Sequence, residues 1–201
     1  MKKIILIALL FVITLVTLVA CNDTEKSVPV LDDTSLKELA QNPIGAVMAT
    51  IDYASKDKVI LHYGKALIIY DVKISKISKV VDLSKLNVPL NTQGAETIEV
   101  SVDKSANEIF IGSSSLGYDK YEGYIYKLDK NILTKTKNKT TQQPFKDFSM
   151  MDASKVTGWS SIHCVNISET EKCYLLLKGT TVGDIKIIFS NGSDVKEYNV
   201  L

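Results

Sequence analysis

From Ile44 onward the apolar residues return at every second position, in runs of four to eight residues rich in Val, Ile and Tyr. Successive side chains of an extended chain point to opposite faces, so this period builds half-buried strands and not helices. Strands are predicted over 47–53, 58–63, 66–72, 77–83, 97–103, 108–112, 123–128, 132–137, 161–167, 172–177, 184–189 and 195–200. Turn-forming residues separate them: Tyr63-Gly64-Lys65, residues 113–117, Asp129-Lys130-Asn131 and Ser190-Asn191-Gly192. The Asn191-Gly192 pair between two alternating runs is the strongest hairpin signal in the chain. No strand leads into a convincing helix, which argues against a parallel α/β fold. The expected class is all-β with antiparallel sheets.

A weak repeat runs through these strands. Lys58-Val59-Ile60-Leu61, Leu67-Ile68-Ile69-Tyr70-Asp71-Val72 and Ile77-Ser78-Lys79 make one copy. Glu108-Ile109-Phe110-Ile111, Tyr124-Ile125-Tyr126-Lys127-Leu128 and Ile132-Leu133-Thr134-Lys135 make a second, with Tyr126 answering Tyr70. A degraded third copy runs from Tyr174-Leu175-Leu176 through Ile185 to Tyr198. This succession resembles the blades of β-propellers, an apolar strand followed by a strand of Tyr-Asp-Val type and a polar turn. The resemblance implies two or three blades and an incomplete ring, since closed rings usually take about four blades or more. The alternative is a β-sandwich of antiparallel meanders.

The N-terminus carries a different signal. Met1-Lys2-Lys3 is a short positive segment, and residues 4–20 are apolar apart from Thr14 and Thr17, as in a helical export signal. Leu18-Val19-Ala20-Cys21 resembles the lipobox of bacterial lipoproteins. That resemblance implies cleavage before Cys21 and acylation of its thiol, which would place the chain on the outer face of the cytoplasmic membrane or on a periplasm-facing membrane. The alternative is an uncleaved membrane helix. Residues 1–20 are therefore read as a lipoprotein signal peptide, 21–43 as a polar tether and 44–201 as an all-β domain. The tether holds one short helix candidate, with Thr34 or Ser35 as cap, Glu38 closing a capping box and Pro43 as the stop.

Charge narrows the function. Lysine supplies all 24 basic residues and 23 are acidic, so the net charge is +1, and Lys2 and Lys3 belong to the signal segment. Near-neutral charge without arginine argues against a nucleic-acid partner, which needs clustered cations for phosphate, and removes bidentate carboxylate or phosphate clamps.

Few residues carry chemistry. About a turn centred on Ser168-Glu169, Cys164 falls opposite Cys173, where a cross-strand disulfide can close in an exported protein. Two reduced core thiols, or a metal site including His163, are the alternatives. His62 and His163 are the only histidines and read as ordinary strand residues. No Gly-x-Ser-x-Gly elbow or His-Glu-x-x-His helix is present, so no catalytic residue, metal or cofactor is assigned. Tyr118, Tyr121 and Trp159 are the candidate binding aromatics, because a ring offers a glycan or peptide an apolar face and a polar rim. Lys135, Lys137 and Lys139 alternate and share one strand face, which suits anionic lipid or wall polymer or simply guards a sheet edge. The expected function is a lipid-anchored binding or interaction module, a sensor or accessory subunit of an envelope complex, with an envelope protein or a glycan as partner. The alternatives are an envelope hydrolase acting on glycan, lactone or peptide, and a truncated propeller relative with no activity of its own.

Overall fold

The structure is a computed structural model, and it describes residues 26–27, 49–63, 66–83, 98–113, 123–136, 146–147, 157–178 and 184–201. Their regular elements are all strands: β1 Lys26–Ser27, β2 Thr50–Ala54, β3 Lys58–Tyr63, β4 Ala66–Asp71, β5 Lys76–Asp82, β6 Ile98–Val102, β7 Glu108–Ser113, β8 Gly123–Lys127, β9 Ile132–Thr136, β10 Lys146–Asp147, β11 Ser160–Asn166, β12 Lys172–Leu177, β13 Ile185–Ser190 and β14 Val195–Asn199. The twelve longer strands match the twelve read from the alternation, with ends shifted by at most three residues. The two short strands were not expected; β1 falls inside the stretch read as tether. The signal segment, Cys21 and the 34–42 helix candidate lie outside the described residues.

Three antiparallel meanders follow one another along the chain. The first sheet is β2-β3-β4-β5; the second is β6 to β9 with β1 added beside β9; the third is β11 to β14 with β10 added beside β11. Strand β2 lies against both β6 and β11. One core layer fills the space between the first and third sheets, with Ile51, Leu61, Ile68 and Tyr70 facing Val165, Leu175, Ile187 and Phe189. A second layer lies between the first and second sheets, where Ile60, Leu67, Ile69 and Val81 meet Val100, Ile109, Ile111 and Tyr126. The first sheet is thus covered on both faces. That is why Val59-Ile60-Leu61 and Leu67-Ile68-Ile69 read as continuous apolar runs, all at most 1 % exposed. Each buried aliphatic side chain contributes about 1.5–3 kcal/mol of transfer free energy.

The repeat seen in the sequence corresponds to the last three strands of each sheet, and the turns repeat with it. At the first hairpin of each sheet one side-chain oxygen gathers backbone N–H groups. Ser55 Oγ accepts from Asp57 and Lys58 at 3.3 and 3.1 Å. Ser168 Oγ accepts from Thr170 and Glu171 at 3.4 and 3.1 Å. Asp103 takes this place in the second sheet, its Oδ1 accepting from Asn107 and Glu108 at 2.8 Å each and its Oδ2 from the Ser105 N–H at 3.2 Å. At the third hairpin of each sheet Asp71, Asp129 and Asn191 accept backbone N–H groups through Oδ1. Each of these turns has one residue at positive φ: Ser75 at 53°, Asn131 at 56° and Gly192 at 91°.

Lys79 donates to the Leu128 carbonyl at 3.1 Å, and Lys56 pairs with Glu171 at 3.7 Å. The first link ties β5 to the turn after β8 and the second joins turns of the first and third sheets, so the tight hairpins stand at one end of the molecule.

The Asp103 carboxyl works as a pH-sensitive pin. Partial burial opposes its ionisation, but hydrogen bonds from the Ser105 hydroxyl and from the Glu108, Asn107 and Ser105 backbone hold it below the ordinary carboxylate range. A depressed folded value means that its stabilisation is complete above the unfolded value, about 3.9, and is lost as pH falls through the folded one. Asp103→Ala is expected to cost about 1–3 kcal/mol at pH 7 and to blunt the loss of stability below about pH 4, as read by urea unfolding at the two pH values. A variant that keeps the full acid sensitivity of the parent would rule this role out.

Candidate functional site

Two bulges lie in β2 and β11, where the first and third sheets meet. In β2, Ile51 opposes Leu61 and Tyr53 opposes Ile60, so Asp52 is the extra residue. Its Oδ2 lies 2.7 Å from Nδ1 of His62 on β3, with side-chain exposures of 0 % and 11 %. In β11 the register shifts between Ser161 and His163. His163 Nδ1 then accepts the Ile51 N–H at 3.0 Å, an atom pair 112 residues apart in the chain. That nitrogen must be unprotonated to accept. The two histidines therefore grip adjacent residues of β2, one through backbone and one through a side chain. Sequence reasoning treated both as ordinary strand residues. The available signal was a polar Asp52 inside the apolar run Ile51-Asp52-Tyr53, one hairpin away from His62 in Val59-Ile60-Leu61-His62. A carboxylate on Nδ1 of an imidazole is the orienting half of a general-base arrangement, and bulges are frequent beside such sites.

A cleft of about 400 Å³ opens at the tight-turn end, between the first and third sheets. Val72, Phe189 and Tyr198 form its apolar part, and Lys56, Glu171, Asp194 and Lys196 supply charge. Tyr198 is held edge-on by Phe189 and Tyr70, with centroids 5.7 and 6.1 Å away. Hydroxyl and amide groups of Ser168, Thr170 and Asn191 complete the lining. Aromatic edges beside paired charges can take a ligand that is apolar on one side and polar on the other, a short peptide or a glycan. No linear motif marks this cleft, because its walls come from four hairpins.

The disulfide expected between Cys164 and Cys173 does not form. The loop between β11 and β12 holds five residues, with the Ile167 and Ser168 N–H groups both donating to the Glu171 carbonyl. Asn166 therefore opposes Lys172, Val165 opposes Cys173, and Cys164 opposes Tyr174. This one-residue offset sends the two side chains to opposite faces. Both thiols are buried and unbridged. Burial, with the nearby Cys164 and Glu171 adding to it, pushes the Cys173 thiol up, away from thiolate chemistry. Trp159 is half-buried, packed on the cluster of Leu176 and Ile188. The Lys186 ammonium sits 4.6 Å from its ring centroid and 2.7 Å from Glu197 Oε2, so the ring serves packing and a cation–π contact. Tyr118 and Tyr121, the other candidate aromatics, lie outside the described residues. No family model, curated protein or solved structure matches the chain.

Proposed function

We propose that this chain is a lipid-anchored extracytoplasmic binding module whose three sheets are β-propeller-like blades, held by Cys21 at the outer face of a bacterial membrane. The blade reading is supported by the three successive four-stranded meanders, their matching turns and the position of β2 against β6 and β11. The lipobox at Leu18-Val19-Ala20-Cys21 supports the anchor. The observation that carries the binding function is the cleft of Lys56, Glu171, Lys196 and Tyr198 at the tight-turn end. Its partner is an envelope protein or glycan that presents an apolar group flanked by charge. A photo-crosslinking residue at Lys196, compared with one at exposed Lys130 on a different sheet, tests this in intact cells. A discrete adduct from position 196, absent from 130 and abolished by Tyr198→Ala, is expected. The same adducts from both positions, or none from either, would refute the cleft as the binding site.

The Asp52–His62 pair favours a second reading, an envelope hydrolase acting on glycan, lactone or peptide with His62 as base. Turnover of such a substrate that is lost in His62→Gln but kept in Tyr198→Ala would establish it over the binding module.

A further inference from the structure

We infer that strand β1 docks the whole domain on the bilayer in a fixed orientation, with the Thr136 end of the second sheet against anionic headgroups and the tight-turn end facing away. The inference rests on Cys21 being the lipid-bearing residue, as proposed above. Lys26 opposes Leu133 and Ser27 opposes Ile132, antiparallel. Stepping from Ser27 back to Lys26 therefore moves along β9 away from the 128–131 turn and towards Thr136. The chain that leads from Cys21 thus reaches β1 from the Thr136 side.

Length makes this restrictive. Five residue steps separate Cys21 from Lys26, and five extended residues reach no further than about 18 Å. A twenty-residue flexible tether would let the domain tumble. Pairing of Lys26 and Ser27 with β9 removes that freedom, because the tether effectively ends at β1. The acyl chains lie in the membrane, so the edge of the second sheet must stand within that reach of the surface.

The rest of the sheet follows from its register. Gly112, Gly123 and Thr136 lie side by side across β7, β8 and β9, at the end where β1 is entered. Lys135, exposed near the end of β9, adds positive charge at that level, which suits an anionic surface. The opposite end of the same strands carries the 103–107 and 128–131 turns. The Lys79–Leu128 and Lys56–Glu171 links align the turns of the first and third sheets with these. The cleft of Lys56 and Tyr198 consequently opens away from the bilayer, towards whatever approaches through the envelope space.

The test uses the full chain, matured in bacterial membranes and reconstituted in vesicles of phosphatidylethanolamine and phosphatidylglycerol with a small fraction of nickel-chelating lipid. A nitroxide is placed by Lys135→Cys or Lys130→Cys; the buried Cys164 and Cys173 stay unlabelled in the native fold. Headgroup nickel is expected to relax the label at 135 at least several-fold more strongly than the label at 130, since the effect falls steeply with distance. A flexible Gly-Ser insertion between Asn22 and Asp23 should erase the difference. Equal relaxation at both positions, or the reverse order, in protein that sediments with membranes would overturn the orientation and leave the anchor intact. Incorporation of radioactive fatty acid that survives Cys21→Ala would overturn the anchor, and the orientation with it.

Discussion

Replacing His62 with alanine is expected to lower the stability of the fold by about 1–3 kcal/mol, the cost of leaving a buried polar group without its hydrogen bond. The Asp52 side chain is completely inaccessible, and its Oδ2 faces His62 Nδ1 at 2.7 Å. Without the imidazole, the inaccessible Asp52 Oδ2 keeps its desolvation cost and loses this hydrogen bond. Asp52→Asn with His62→Gln should recover much of the loss, because two amides can share one hydrogen bond at this place. A urea-unfolding cycle over the single and double variants, followed by circular dichroism, measures the coupling. Additive single effects would mean that the two groups do not depend on each other. The same cycle bears on architecture. Asp52 is the extra residue of the β2 bulge, and its neighbour Ile51 receives His163 from the third sheet. Loosening the bulge should therefore also loosen the seam between the first and third sheets, and His62→Ala should speed hydrogen exchange at the Ile51 amide beyond the global effect.

The strand pattern was legible because alternation is a local property. Each of the longer runs needs only its own residues and a neighbouring turn to declare itself, and Lys58–Tyr63 and Lys172–Leu177 were read to the residue. Registers that depend on loop geometry were not legible. A turn centred on Ser168-Glu169 would oppose the two cysteines; a five-residue loop pinned by Ser168 Oγ moves the pairing by one and parts them. Strand β1 escaped notice for a related reason, since two polar residues show no period and become a strand only because β9 offers an open edge. The cleft and the His163–Ile51 contact are assembled from hairpins far apart in sequence, and no local pattern announces them. The repeated tyrosine is the opposite case. Its spacing was visible in the sequence, and its physical purpose appears only with the turns in place.

Tyr70 and Tyr126 are at most 1 % exposed, each on the third strand of its meander. The Tyr126 hydroxyl donates to Asn131 Oδ1 at 2.7 Å, and Tyr70 has a side-chain hydrogen bond with Ser75. In both cases the partner is five residues on and occupies the left-handed region, with φ of 56° and 53°. The phenol thus ties the buried strand to the one strained residue of the turn that follows it, and the repeat preserves this strand-to-turn brace. Tyr126→Ala is expected to cost about 3–5 kcal/mol, as for other buried aromatics cut to alanine. Tyr126→Phe keeps the packing and should cost about 1 kcal/mol for the lost hydrogen bond. Asn131→Gly relieves the left-handed strain but also removes the acceptor, so its effect should be smaller in the Tyr126→Phe background than in the parent. Burial pushes the Tyr126 phenol up to about 12, above its unfolded value of 10.0. The native state therefore keeps a proton that the unfolded chain releases, and this contribution is whole below pH 10 and declines as pH rises from there to about 12. Alkaline unfolding monitored by far-ultraviolet circular dichroism should be less steep in Tyr126→Phe than in the parent across that window. An unchanged slope, or equal costs for the phenylalanine and alanine variants, would show that the hydroxyl does not brace the turn.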